Sequence, residues 1–338
     1  MNHRRKLLTA LGTGALAAPF GAFAQPPAKP AEKTWRIGVL AQSNRAAALD
    51  PLFSGAFPLG MRELGYVEGR NLLIEWRFGD NQIEALPGLA AELVQWKPDV
   101  LVGIGHSAAL AAQQATGTIP IVMTTSNDPV AAGLVKSLAR PGGNLTGLAN
   151  LSAELGPKRL EMLLAMTSAA TPKPSTVAVM MSHATESNRE ALDLIRTAGQ
   201  KLGVKAVAFV AGTEQEIDNA FAAMRKQNAG GLIVLLNPLF QQQRNQIAAL
   251  AAKHRLPCMA ADRIYVEAGC LMSYGTNLAG LFRHAATYVD KILKGARPAD
   301  LPVEQPTRFD LFINGNTAKA LGLKIPQSLL ITAEKVIE

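Results

Sequence analysis

The feature that most constrains this chain is an alternation: a short apolar run, a turn, an amphipathic helical stretch, then the next apolar run. In the first half the strand-like runs are Trp35–Leu40, Leu72–Arg77, Val100–Ile104 and Ile119–Thr124. The last two are almost wholly apolar, as expected of strands covered by helices on both faces. Helical stretches lie between them at Pro58–Leu64, Ile83–Trp96 and Ser107–Thr116. Gly65 closes the first of these, and Pro98 stops the second because proline cannot continue a helix. Strands that alternate with helices need crossover connections, and crossovers give a parallel, doubly wound sheet.

The same grammar restarts after the turn cluster Arg140-Pro141-Gly142-Gly143-Asn144. Helices are expected near Pro157–Met166, at Ser187–Leu202, Glu214–Gln227 and Gln241–His254. Strands are expected at Val177–Met181, Lys205–Val210, Gly231–Leu235, Pro257–Ala260 and Cys270–Ser273. A long helix, Leu278–Leu293, then precedes Phe309–Ile313 and a short helix at Thr317–Leu321. A chain of 338 residues exceeds one ordinary core. Two consecutive α/β units of similar size therefore predict two similar lobes.

Residues 1–24 read as a targeting segment. Arg4, Arg5 and Lys6 form a positive start, Leu7 to Phe23 is apolar and rich in small residues, and Ala22-Phe23-Ala24 fits a cleavage site. Arg4-Arg5 followed by Leu7-Leu8 also fits a twin-arginine signal, so both export routes stay open. Residues 25–33 (QPPAKPAEK) read as an extended tether. No later run approaches the ~18 uncharged apolar residues of a membrane helix.

Charge and cysteines narrow the class. The formal charge is +8, and removal of Arg4, Arg5 and Lys6 leaves +5, spread along the chain. Aromatic residues make up only 5%, which does not suit a nucleic-acid surface of basic stripes and stacking rings. Cys258 and Cys270 are the two cysteines. Outside the cytoplasm they can form a disulfide or serve as two small buried hydrophobes.

Enzymatic constellations are weak. Gly103-Ile104-Gly105-His106-Ser107-Ala108 fits G-x-G-x-x-A between a strand and a helix. It follows the third strand of its lobe rather than the first, which disfavours a dinucleotide site. Its physical content remains: a turn at a helix N-terminus presents N–H groups to an anion, with Ser107 expected as the cap. The five histidines, His3, His106, His183, His254 and His284, form no metal-ligand spacing, and no G-x-S-x-G occurs. A non-enzymatic protein without metal or cofactor is expected.

Four blocks carry a resemblance: Glu63 to Asp80 (ELGYVEGRNLLIEWRFGD), Ser126 to Ser152 followed by KRLEMLL, Val266 to Gly275 (VEAGCLMSYG), and Tyr288 to Pro306 (YVDKILKGARPADLPVEQP). In this order they resemble the ABC-transporter substrate-binding family that includes tryptophan/tyrosine-binding proteins. The resemblance runs from Trp35 to the C-terminus. It implies the type I periplasmic binding fold: two doubly wound, Rossmann-like lobes joined by a three-crossing hinge. On that fold, lobe 1 is 34–149 plus 277–304 and lobe 2 is 152–274 plus 307–338, with crossings near 150–152, 274–276 and 304–307. It further implies a periplasmic monomer that captures a small molecule, such as an amino acid or other carboxylate, for an inner-membrane ABC permease and its cytoplasmic ATPase. A ligand-sensing subunit docking on a receptor is the alternative.

In open α/β sheets ligands sit at the carboxyl ends of the strands. Those ends carry Gln42, Ser43 and Asn44, then Gly105, His106 and Ser107, then Asn127 and Asp128 in lobe 1. In lobe 2 they carry Ser182 and His183, Asn237, and Asp262. All can donate or accept hydrogen bonds, as a solute wrapped from both sides requires. Export gives the first test. Mass spectrometry of the periplasmic fraction should find a protein beginning at Gln25, whereas a full-length cytoplasmic product would remove the basis for a cleaved signal.

Overall fold

A computed structural model of the chain describes residues 33–51, 54–168, 174–182 and 186–338. The targeting segment, all of the tether but Lys33, and His183 lie outside the described residues.

Lobe 1 is built on a sheet of β1 (Trp35–Ala41), β2 (Leu72–Phe78), β3 (Val100–Ile104), β4 (Ile121–Ser126) and β5 (Leu145–Ala149) in the order β2-β1-β3-β4-β5. Every pairing is parallel. Its helices are α1 (Arg45–Ala48), α2 (Ala56–Glu63), α3 (Leu86–Gln95) and α4 (His106–Ala115). Each expected strand is present within one or two residues. β5 and the one-turn α1 are additional, both too short to show a period of their own.

Lobe 2 begins with α5 (Gly156–Met166), β6 (Thr176–Met181), α6 (Glu186–Leu202), β7 (Lys205–Val210) and α7 (Glu214–Lys226). It continues through β8 (Leu232–Val234), α8 (Pro238–Gln242), α9 (Arg244–Lys253), β9 (Cys258–Ala260), α10 (Arg263–Glu267) and β10 (Met272–Gly275). The chain then runs into α11 (Leu278–Leu293), which packs on α2 of lobe 1. It returns as β11 (Asp310–Asn314), α12 (Gly315–Leu321), α13 (Gln327–Thr332) and β12 (Lys335–Ile337). The sheet order is β12-β11-β10-β9-β8-β6-β7, parallel except for β10 against β11.

Two expectations need correction here. The stretch read as one helix, Gln241–His254, is two, broken at Gln243, which caps α9 and closes α8. Asn237 caps α8 by accepting from the Leu239 N–H at 2.9 Å, and Pro238 occupies the first turn, so a helix starts earlier than the apolar period shows. The strand expected at Cys270–Ser273 lies at Met272–Gly275. Gly275 is required there, since an added Cβ would stand 2.0 Å from the Ala261 carbonyl oxygen.

Three chain passages connect the lobes: after β5, between β10 and α11, and before β11. A parallel bridge from Leu148 to Glu304 joins the last to β5. Arg159 of α5 is buried beneath the first two. Its Nε donates to the Tyr274 carbonyl at 2.7 Å, and its Nη1 to the Ser152 carbonyl at 2.7 Å. Its Nη2 reaches the Ser152 hydroxyl at 3.3 Å. Among the described residues no carboxylate forms an ion pair with it. Burial pulls the guanidinium down to about 10, so it remains charged at neutral pH. Replacing it with an apolar residue of similar length leaves buried carbonyls without donors, at about 1–3 kcal/mol each. We therefore expect Arg159→Met to lower stability by about 2–4 kcal/mol in urea denaturation. An unchanged midpoint would mean other donors replace the guanidinium.

Candidate functional site

Each sheet has a point where strand order reverses, and there adjacent loops diverge to opposite faces and leave a crevice. In lobe 1 it falls between β1 and β3. In lobe 2 it falls between β6 and β8. The carboxyl ends of both sheets face one interlobe cleft, because protein hydrogen bonds span it from the loop after β1 to α8.

The β1 end supplies Gln42, Ser43 and Asn44. Ser43 is buried, and its Oγ meets no hydrogen-bond partner among the described residues. Asn44 caps α1, accepting from the Ala47 N–H at 3.0 Å, and its Nδ2 donates to Gln242 Oε1 of lobe 2, also at 3.0 Å. Gln42 is half-buried and its carbonyl accepts from the Asn81 N–H at 2.8 Å.

At the β3 end Gly105 has φ +89°, the left-handed region that favours glycine. It is the cap of α4, so the expectation that Ser107 caps this helix is corrected: His106 and Ser107 are its first two residues. The reason is geometric. The capping residue stands outside helical dihedrals, and the turn out of β3 reaches that point two residues earlier than the Ser signal implies. His106 is half-buried, with Nδ1 3.4 Å from Ser126 Oγ. Desolvation lowers its pKa, which keeps the ring neutral above mildly acidic pH. The first N–H groups of α4 have no intrahelical acceptor and carry the positive end of the helix dipole.

Asn127 is half-buried, whereas Asp128 is exposed and turned to its own loop. Its Oδ1 accepts from the Val130 and Ala131 N–H groups at 3.0 and 2.9 Å. It shapes a turn, so its ligand role is the weakest of the set. Glu154 lies close enough to feel its charge. Burial first, then the nearby charges of Glu190 and Asp128, raises the Glu154 carboxyl.

Lobe 2 brings Ser182 and Asn237 together across its reversal point: Asn237 Nδ2 donates to Ser182 Oγ at 2.7 Å. Asp262 follows β9 and caps α10 through the Ile264 N–H at 3.0 Å. It is 5% exposed. Burial pushes its carboxyl up to about 6, against the ordinary 3.8. It borders a small hollow of about 10 Å³ with Ser273, Thr276, Asn277 and Asp310, and Ser273 Oγ and Thr276 Oγ1 lack hydrogen-bond partners there. Cys258 and Cys270 are both free thiols, buried and hydrogen-bonded to each other, and burial raises Cys258. The two stand side by side, as either a disulfide or a pair of buried thiols requires.

Sequence reasoning missed Asp50, Asn81, Gln242 and Arg244. Asn81 takes φ +66°, and Gln242 and Arg244 flank the unexpected break between α8 and α9. A polar run, Gln241-Gln242-Gln243-Arg244, inside an otherwise apolar period was the available signal. Among the described residues no three His, Cys, Asp or Glu side chains gather to hold a metal, and no helix is long and apolar enough to cross a membrane.

Two α/β lobes with facing polar strand ends define a two-lobed binding protein. The model of the family described as ABC transporter substrate binding protein matches residues 41–337, so the chain belongs to that family. It is a substrate-binding protein and not an enzyme, and its work is solute capture. A tyrosine-binding protein of Clostridioides difficile (strain R20291) is 27% identical over 296 residues, 87% of this chain and 82% of the relative. A Streptococcus pneumoniae ABC domain solved with L-Trp has a TM-score of 0.80 at 25% identity, covering 90% of this chain and all of its own. A ligand-free, open substrate binding protein from Clostridium difficile, 27% identical over 90% of this chain and 98% of its own, has a TM-score of 0.62. At similar identity, the lobe arrangement here is thus nearer the L-Trp complex than the open form.

The Asp262 carboxyl yields a stability test. Folded Asp262 holds its proton more tightly than the unfolded chain, so this preference supports folding below about pH 4 and is lost as pH rises through about 6. Between pH 4 and 7.5 the parent should lose about 2–3 kcal/mol relative to Asp262→Asn, which keeps the cap. Urea denaturation of both proteins at each pH reads the difference, and parallel pH profiles would contradict a desolvated carboxyl.

Proposed function

We propose that the exported protein works as a monomer in the periplasm, captures an α-amino acid with an aromatic side chain between its lobes, and delivers it to an inner-membrane permease coupled to a cytoplasmic ATPase. Signal cleavage after Ala24 and the lobe boundaries given above belong to this reading. The three interlobe passages act as the hinge. The family match favours transport over a sensor role, and the names of the tyrosine- and tryptophan-binding relatives supply the solute class.

One observation carries the reading. One wall of the cleft offers the positive end of α4 at His106 and Ser107, and the other offers a buried carboxylate, Asp262, with no ion pair among the described residues. A zwitterion satisfies both: its carboxylate takes the N–H groups at the start of α4, and its ammonium pairs with Asp262. Ser43, Ser182 and Asn237 add hydroxyl and amide contacts. His183 and Asn127 belong to the same strand-end set.

The magnitudes are adequate. Burying about 150 Å² of aromatic surface contributes about 4 kcal/mol. The helix terminus adds about 1–2 kcal/mol and a few charge-assisted hydrogen bonds about 1.5–3 each, before ordering costs. Micromolar affinity needs about 8 kcal/mol.

Calorimetry with L-tyrosine and L-tryptophan tests the proposal. Tyramine, which lacks the carboxylate, and 3-(4-hydroxyphenyl)propionate, which lacks the ammonium, should each bind at least tenfold more weakly. Asp262→Ala should weaken amino-acid binding by about tenfold or more. No heat with either amino acid at millimolar concentration would reject the solute class, and unchanged binding by Asp262→Ala would reject the ammonium site.

A further inference from the structure

The two lobes touch through side chains at the outer lip of the cleft, and among them Asn44 commits its amide to the opposite lobe. Gln242, the last residue of α8, accepts from Asn44 Nδ2 at 3.0 Å and exchanges two hydrogen bonds with Asn81, both at 3.3 Å. Two residues further on, Arg244 Nη2 meets Asp50 Oδ2 at 3.2 Å, with side chains 27% and 19% exposed. Leu236, just before α8, packs on the apolar cluster of lobe 1. These groups join the loops after β1 and β2 to the α8–α9 corner.

Position gives the contacts leverage. Asn81 follows β2, the edge strand at the opposite end of the lobe 1 sheet from β5, where the third interlobe passage is bridged. With strands ~4.8 Å apart, β2 stands about 19 Å from β5, so a rotation of about 15° about the β5 side separates this lip by about 5 Å. Hydrogen bonds end well before that separation. The contacts therefore exist only in the closed arrangement. Asp50 also faces Asp262 closely enough to raise its carboxyl, so Arg244 holds in place a lobe 1 carboxylate that would otherwise repel lobe 2.

We propose that Gln242 and Arg244 of lobe 2, with Asn44, Asn81 and Asp50 of lobe 1, form a latch at the far lip of the cleft that sets solute affinity by fixing the fraction of closed protein, without touching the solute. Every partner in it is a protein group, so the latch forms before a solute arrives and gives the free protein a closed population. Apparent affinity scales with the binding-competent fraction, so a residue remote from the solute can tune it. This inference rests on capture by lobe closure, but its first test needs no ligand.

Spin labels at Glu84→Cys and Lys226→Cys, exposed positions on the two lobes, report interlobe distance; the buried Cys258 and Cys270 are shielded from the label. In the ligand-free parent we expect a short-distance population beside a longer one. Arg244→Glu and Asp50→Arg, each alone, should lower the ratio of short to long at least fivefold, and the double exchange should restore it. Arg244→Gln, which removes the charge without reversing it, should fall between them and guards against a misfolded reversal variant, with circular dichroism checking each fold. With L-tyrosine as probe, the single reversals should raise apparent Kd by a similar factor. The latch is overturned if the parent lacks a short-distance population, if the reversals keep it, or if the exchange fails to restore it. Failure of L-tyrosine to bind the parent would instead reject the solute class and leave the distance test to judge the latch.

Discussion

Everything that makes this molecule a two-lobed clamp depends on a buried cation. Arg159 holds the Ser152 backbone of the first interlobe passage and the Tyr274 backbone at the start of the second, both at 2.7 Å. Passages between lobes carry backbone groups that no sheet ladder satisfies, and buried polar backbone must be paired. A guanidinium meets that need because it presents several donors in a rigid fork. Its charge is spread over neutral acceptors without a carboxylate among the described residues. The same side chain thus fixes where lobe 1 ends, where β10 stops, and where α11 begins its return to lobe 1.

From that anchor the cleft follows. α11 lies on α2, so the second passage must be short and tight, and Gly275 is the residue that lets it pass the Ala261 carbonyl. The strand ends of both sheets are then set opposite each other. The near side of the cleft, by the passages, holds Asp262 and its hollow. The far side carries the Gln242 and Arg244 contacts. Affinity in such a molecule has two physical sources: groups that meet the solute, and groups that decide how often the cleft is closed. The first set is small and polar, and the second sits where leverage is greatest.

Electrostatics differ on the two flanks. Arg244 and Asp50 attract across one lip, whereas near the other the charges of Glu190 and Asp128 add to burial in raising Glu154. Asp262 is buried and carries a raised carboxyl despite the nearby Arg263 charge. In the proposed reading, a solute bringing a positive group relieves part of that burial penalty.

The sequence by itself determined the alternating α/β elements, the two lobes and the strand-end positions of the site, because period, turn chemistry and breakers are local properties of the chain. Val100–Ile104, Lys205–Val210 and Leu278–Leu293 lie where the periodicity places them. Only the tertiary structure decided the rest. Whether Ser107 or Gly105 caps α4 depended on how the chain leaves β3. Asp128, identical in type to Asp262, was taken by its own turn while Asp262 was desolvated. Cys258 and Cys270 met as thiols. Asn81 and Gln242, 161 residues apart, became partners across the cleft. A residue's type limits the bonds it can make, but which partner lies within 3 Å is fixed by packing between segments far apart in the chain, and no local pattern encodes that distance.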